Sequence, residues 1–414
     1  MSLPTYAIYH DIRRKKENGL YPVKLRVYFE GKKMRYPLAL DLSKEDFEKS
    51  YLTQAPRLER YRQIKSVITS FYSKASQIIE DLQPFDFDKF EKHMFRPTSS
   101  IGNVFYFYDQ TIKKLNDEDR IGTASNYELS KKSIESYLKD LGQKGDRLPF
   151  DAINEKLLNG YERWMLKEGK GLTTVGIYLR PLRALFNAAI EAEEIKKDLY
   201  PFRKGKYQIP AGSSIKKALD KSDLKKLFEF YTDDELIIKA RSFWFFSYLC
   251  NGINIRDICE LKYKNIDGEK VTFIRAKTRQ TTKANQTTIV AAMLPLIAEV
   301  IERYGNQKRT NETYVFPIFN DKMTAEEKLR ATQAFTRFIN QHMKRLAKKA
   351  DVSQDISTYY ARHTFSTLSM KNGVPLAFIQ KALGHQNIKT TMAYLGSFDH
   401  EEIKKNADKL MSFD

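Results

Sequence analysis

Cysteine is nearly absent: the 414 residues include two, Cys250 and Cys259. Their spacing fits neither a redox pair nor a zinc knuckle, so disulfide-stapled and zinc-built folds are excluded and both thiols are expected as small buried apolar groups. Long apolar runs are missing too. The longest, Phe243 to Cys250, falls far short of the ~20 residues a spanning helix needs, so a soluble chain with no membrane partner is expected. The N-terminus, Met1-Ser2-Leu3-Pro4 turning basic at Arg13-Arg14-Lys15-Lys16, has no apolar stretch ahead of a small-residue cleavage site, which points to the cytoplasm. His10, His93, His342 and His400 share no metal-ligand spacing, and no metal is expected. Internal repeats and low-complexity tracts do not occur. Acidic residues are in deficit, 52 against 71 Lys and Arg, for a formal charge of +19, so the surrounding field favours a polyanion such as nucleic acid.

What is present suffices for a packed fold. A hydrophobic fraction of 42% with 13% aromatics is too rich for a disordered polycation. The length predicts about three domains of roughly 150 residues. Positive charge gathers at the front: residues 1–35 hold nine Lys or Arg and three acids, whereas residues 36–96 hold ten of each. There the pattern alternates, with Tyr21, Val23, Leu25, Val27 and Phe29, then Met34, Tyr36, Leu38 and Leu40, about a turn near Gly31. That predicts a β-hairpin with Lys24, Arg26, Lys33 and Arg35 on the face opposite the apolar one. Such a ribbon either enters a DNA major groove or is the solvated face of a small sheet.

Residues 43–82 read as helical, and Pro84 to Pro97 as a poorly periodic connector, which sets a boundary near 97. From Ile101 to Ile195 the periodicity is helical throughout. The clearest stripe is Leu182, Leu185, Phe186, Ala189 and Ile190, with Arg180 and Arg183 off it, where they meet either phosphates or solvent. Residues 201–213 have the Pro, Gly and Ser content of an exposed linker. Asp220 and Asp223 ahead of Leu224, Leu227 and Phe228 predict a capped helix start. Lys270 to Arg275 and Thr287 to Val290 are β-rich runs around a polar stretch, a small sheet with a flexible hairpin. The fold class is thus mainly α with small β elements, α+β.

The chemically informative region is Thr358-Tyr359-Tyr360-Ala361-Arg362-His363-Thr364, followed by Leu383-Gly384-His385 and by Tyr394 nine residues after His385. This ordered set resembles the tyrosine recombinases of the phage integrase family. Upstream, Lys277 in Arg275-Ala276-Lys277-Thr278 is similar to the family's hairpin lysine, and Cys250-Asn251-Gly252 through Glu260-Leu261-Lys262 to its first arginine box. Two positions depart from the pattern. Asn254 stands where the first arginine is usual, with Arg256 two residues on, and Tyr359 stands where many members have histidine. Both departures resemble those of integrases from mobile elements of the Bacteroides transposon type.

The resemblance implies that Tyr394 attacks a DNA phosphodiester and becomes joined to the 3′ phosphate, keeping the bond energy for rejoining without ATP or any other cofactor. It makes Arg362 the bidentate grip on the phosphate oxygens. Lys277 becomes the acid for the departing 5′ oxygen, and His385 a hydrogen-bond donor to the phosphate or a proton carrier. Tyr359 can supply a hydrogen bond but, with a phenol near pKa 10, is a poor proton shuttle. Asn254 carries no charge, so a substitute cation is needed. Arg256 is the nearest, yet two residues along a helix turn it about 200° away; Arg275 and Arg279 are the alternatives. His363, adjacent to Arg362, faces about 100° away and is expected to pack.

By the same resemblance, residues 1–96 form an arm-binding domain, 97–200 an all-α core-binding domain and 214–414 the catalytic domain. Four protomers would synapse two duplexes at core and arm sites, with accessory DNA-bending proteins as possible partners. The tail from Asp399 to Phe413, with Ile403, Ala407, Leu410 and Met411 on one stripe, packs either on a neighbouring subunit or on its own domain. Two rival readings stand beside this one: a catalytically impaired architectural DNA-binding protein, which Asn254 favours, and a monomeric tyrosine topoisomerase, which the arm domain disfavours.

Overall fold

The computed structural model describes residues 3–95, 102–212, 218–279, 286–395 and Lys404, leaving aside the side chains of Lys92 and of residues 393–395. It divides into two compact units, 1–103 and 104–414, and is mainly helical with two small sheets.

In the first unit, β1 (Thr5–His10), β2 (Tyr21–Phe29) and β3 (Lys32–Leu42) form an antiparallel sheet with β2 in the centre. The predicted hairpin is there, closed by Glu30 and Gly31 at φ 45° and 76°. Left-handed geometry at both loop residues matches the twist of the flanking strands. The ribbon, however, is three-stranded. β1 hides in the sequence because only Tyr6 and Ile8 mark its inner face. Val23, Leu25, Val27, Tyr36 and Leu38 are buried beneath α2 (Glu59–Asp81), which contributes Ile68, Ala75 and Ile79. Ahead of α2, the short α1 (Lys44–Phe47) is capped by Ser43 Oγ, which accepts from Asp46 N–H, and it runs into a π turn at Glu48–Leu52. The predicted helix over 43–82 is therefore interrupted at residues 53–58, around Pro56. The expected connector after Pro84 contains a helix, α3 (Phe87–Met94), capped by Asp86. Its interleaved Phe and Asp are a helical pattern: Phe87, Phe90 and Met94 turn inward.

The second unit opens with α4 (Val104–Asp117), α5 (Ile121–Asp140), α6 (Glu155–Lys167) and α7 (Leu172–Glu191) around one apolar core. The stripe on α7 is inward, and Arg180 and Arg183 are exposed. The expected exposed linker is partly docked. Tyr207 is buried and donates from its hydroxyl to the Glu162 carboxylate at 2.5 Å, and Phe202 and Ile209 also pack on this core. Aromatic burial outweighs the Pro and Gly composition that reads as exposed.

Next come α8 (Lys221–Glu229), α9 (Glu235–Leu249) and α10 (Ile255–Glu260). As predicted, the Asp220 carboxylate caps α8, accepting from Asp223 N–H at 2.7 Å. The apolar run Phe243 to Cys250 lies at the end of α9, a helix buried on nearly all sides. Among the described residues no helix is long and apolar enough to cross a membrane. Both cysteines are buried, and burial pushes their thiols up from the ordinary range. β4 (Lys270–Phe273) and β5 (Ile289–Ala292) pair antiparallel, with α11 (Ala276–Arg279) between them. Lys277 thus sits on a helical turn where a hairpin loop is expected, and residues 280–285 lie outside the described ones. α12 (Pro295–Tyr304) and the long α13 (Ala325–Lys349) pack on α9. α14 (Thr358–Lys371), α15 (Leu376–Ala382) and α16 (Ile388–Leu395) complete the unit. Trp244 Nε1 donates to Ser357 O at 2.9 Å, which fixes the start of α14 against α9.

Candidate active site

Arg362, on the buried side of α14, is 2% exposed. Its Nη1 donates to Gly252 O at 2.9 Å, and its Nη2 donates to Leu383 O and lies 3.3 Å from His385 Nε2. The turn after α9 makes this approach possible. Asn251 and Gly252 are both left-handed, and a Cβ on Gly252 would lie 2.7 Å from Arg362 Cα, so only glycine fits. Gly384, at φ 65°, ends α15 and turns His385 inward. His385 Nδ1 lies 3.0 Å from Thr391 Oγ1 on α16. Tyr394 is one turn further along that helix; its side chain lies outside the described residues.

Burial, then the neighbouring Arg362 and Arg275, lowers the His385 pKa from 6.5 to about 4, so the ring is neutral at physiological pH. The unfolded chain therefore binds the extra proton at higher pH than the folded one. Between about pH 6.5 and 4 stability falls on acidification by this group alone and is fully present above 6.5. We expect His385→Gln to flatten that part of a curve of unfolding free energy against pH. An unchanged acid limb would contradict the buried neutral ring.

The first arginine box is arranged differently from its usual pattern. Asn254 precedes α10 and has Nδ2 3.5 Å from Asp257 Oδ2. Arg256 points the other way, as its helical offset predicts: its Nε pairs with Glu260 at 3.0 Å, and Arg279 pairs with the same carboxylate at 2.7 Å. Arg275 is different. It is half-buried, its Nε is buried without a hydrogen-bond partner among the described residues, and its Cδ lies against Gly384.

Two adjoining cavities share Arg275 and Lys277 as lining. The one of about 310 Å³ is completed by Gly384, His385, Asn387 and Thr390; the other, of about 500 Å³, by Asn254, Asp257, Tyr359 and the Arg256–Glu260–Arg279 ion-pair group, together with Asp119, Arg120, Gly122 and Thr123 where α4 turns into α5. Lys277 is exposed at this wall. Tyr359 is 44% exposed, and its ring meets His363 edge-on at 4.5 Å, so His363 packs there. Arg362, His385, Lys277, Asn254 and Tyr359 are thus gathered at one place, with Tyr394 on the adjoining helix.

Asp257 is a residue the sequence reading missed. It is buried, which pushes its carboxyl up, and its Oδ1 accepts from Ala276 N–H at 2.8 Å, tying α10 to the start of α11 and so to Lys277. The available signal was its place three residues after Asn254, on one helix face. Among the described residues no cluster of His, Cys, Asp and Glu could hold a metal.

In the first unit, Arg26 and Arg35 lie opposite each other across β2 and β3, both over the Tyr9 ring at 5.7 and 5.5 Å. Lys33 is exposed beside them, whereas Lys24 is held by Asp11 at 2.7 Å in a largely buried ion pair. The Lys24 ammonium is the first cause of a lowered Asp11 pKa.

Comparison with known proteins places these parts in order. Three family models match: Arm DNA-binding domain over residues 8–91, Phage integrase SAM-like domain over 103–209, and Phage integrase family over 217–401. The tyrosine recombinase XerA of Pyrococcus horikoshii is 23% identical over 233 residues, 55% of this chain and 70% of its own. XerC of Vibrio parahaemolyticus is 25% identical over 294 residues, 70% of this chain and 86% of its own. Among solved structures, the Tn1549 transposon integrase in complex with transposon right end DNA aligns with a TM-score of 0.53 at 15% identity, covering 75% of this chain and all of that one. At that identity the likeness speaks to the fold.

Proposed function

The chain belongs to the phage integrase family, and we propose that the cleft between Arg362, His385, Arg275 and Lys277 is where it holds a DNA phosphate for attack by Tyr394. It is a tyrosine site-specific recombinase acting on double-stranded DNA. The observation that carries the site is the convergence of three cationic side chains and a neutral imidazole beside the helix that holds Tyr394.

Transfer of a phosphoryl group from a 5′ oxygen to a phenol needs positive charge around the pentacoordinate phosphorus and a proton for the leaving oxygen. Arg362 supplies positive charge from a fixed, buried position. Lys277, on a short exposed turn, reaches the leaving oxygen. Arg275 takes the place left by Asn254, because it borders both cavities, whereas Arg256 and Arg279 line only the larger one and are paired with Glu260. Tyr359 offers its hydroxyl at the rim. Residues 1–96 act as the arm-binding domain with Arg26, Lys33 and Arg35 toward DNA and Lys24 in a supporting ion pair. Residues 97–200 bind the core site through Arg180 and Arg183. The working form is a homotetramer on DNA in the cytoplasm, at the nucleoid, and the recombined DNA is that of a mobile element.

The test is incubation with nicked suicide DNA carrying the cognate crossover site, then denaturing electrophoresis and peptide mapping. A 3′-phosphate adduct on Tyr394 supports the reading. Tight binding without any adduct favours the architectural protein. Binding itself is expected to weaken by roughly 10³-fold between 50 and 200 mM salt if about six phosphates are contacted. A flat response in a salt titration would mean that the net charge of +19 is not used in binding.

A further inference from the structure

The His385 ring is engaged at both nitrogens. Nε2 lies 3.3 Å from Arg362 Nη2, and Nδ1 lies 3.0 Å from Thr391 Oγ1. A guanidinium has only N–H donors, so Nε2 is the accepting nitrogen of this pair. Burial and the charges that face the ring, Arg362 from α14 and Arg275 from the strand end, keep it neutral, and Lys277 adds positive charge at the same cleft. A neutral imidazole carries one N–H. That hydrogen is therefore on Nδ1 and is donated to the Thr391 hydroxyl oxygen. Thr391 is fully buried and belongs to the helix that carries Tyr394.

We infer that Thr391 is a positioning residue that holds His385 as the Nδ1–H tautomer and so links the form of the histidine to docking of the nucleophile helix. In this form Nε2 accepts from Arg362 and Nδ1–H donates to Thr391, so both ring nitrogens are committed while α16 is docked. When α16 leaves, the Thr391 acceptor leaves with it, and His385 loses the group that selects its tautomer.

The inference deepens the recombinase reading, but it is tested without DNA or turnover, so the two fail separately. The full chain labelled with ¹⁵N-histidine is observed by long-range ¹H–¹⁵N correlation, with His385→Gln identifying the resonance. The expected result is a protonated Nδ1 and a bare Nε2 in the unsubstituted chain. Thr391→Val should lower the preference for that tautomer by about tenfold, the effect of one hydrogen bond, and Thr391→Ser should keep it. Matching melting curves for Val and Ser exclude a plain folding defect. If Val itself unfolds, the Ser variant and the unsubstituted chain still decide the tautomer. An Nε2–H ring in the unsubstituted chain, or the same tautomer in folded Thr391→Val, would overturn the inference.

Discussion

Replacing Tyr394 by Phe should leave DNA binding within about twofold and lower covalent joining by at least about 10⁴-fold, the scale seen when a nucleophile is removed from an otherwise intact site. The phenol oxygen is the only atom lost, so the packing of α16 and the Thr391 contact to His385 have no reason to change. The cationic cleft remains, and with it the attraction for phosphate. Binding is read by gel shift and joining by denaturing electrophoresis on the same nicked duplex. Persistent joining in Tyr394→Phe would move the nucleophile elsewhere, to Tyr359 first, since that hydroxyl borders the neighbouring cavity. Loss of both binding and joining would mean that the helix itself had come away, and a melting curve separates that case.

The parts that were legible in the sequence are those with local causes. Alternation wrote the β2–β3 hairpin, and the Asp220 carboxylate wrote the start of α8. Helical periodicity put Arg180 and Arg183 outward. The order of Arg362, His385 and Tyr394 was enough for the family. The hidden parts depend on contacts between distant segments. β1 is a strand because β2 offers it an edge, and α3 hides its stripe in alternating Phe and Asp. Nothing near Asp257 in sequence shows that it will accept from Ala276, 19 residues on. In the same way Thr391 reads as a helix residue until His385 is seen against it.

Arg275 is the sharpest case of this kind, and Arg275→Ala should lower covalent joining by about 10² to 10³-fold, as expected when one group stabilising the transition-state charge is removed. Arg256→Ala, nearer in sequence to the missing arginine, should change it by less than about threefold. Arg256 sits in an exposed pair with Glu260, and such pairs contribute little. Arg275, by contrast, is half-buried beside His385 and Gly384, with a buried Nε donor and both cavities at its side. Arg275→Lys should fall between, losing about tenfold, because the charge stays while the planar fork is lost. Asn254 borders the same 500 Å³ cavity, so Asn254→Arg placed on the Arg275→Ala background should recover part of the rate. That recovery is what a shared task predicts, since on the proposed reading the cation at the β4 end serves the same cleft as one at the α10 start would. A large loss in Arg256→Ala with none in Arg275→Ala would reverse the assignment. An Arg275→Ala variant that also loses DNA affinity in proportion would make Arg275 a ground-state binding group and leave the replacement of the first arginine to Arg279.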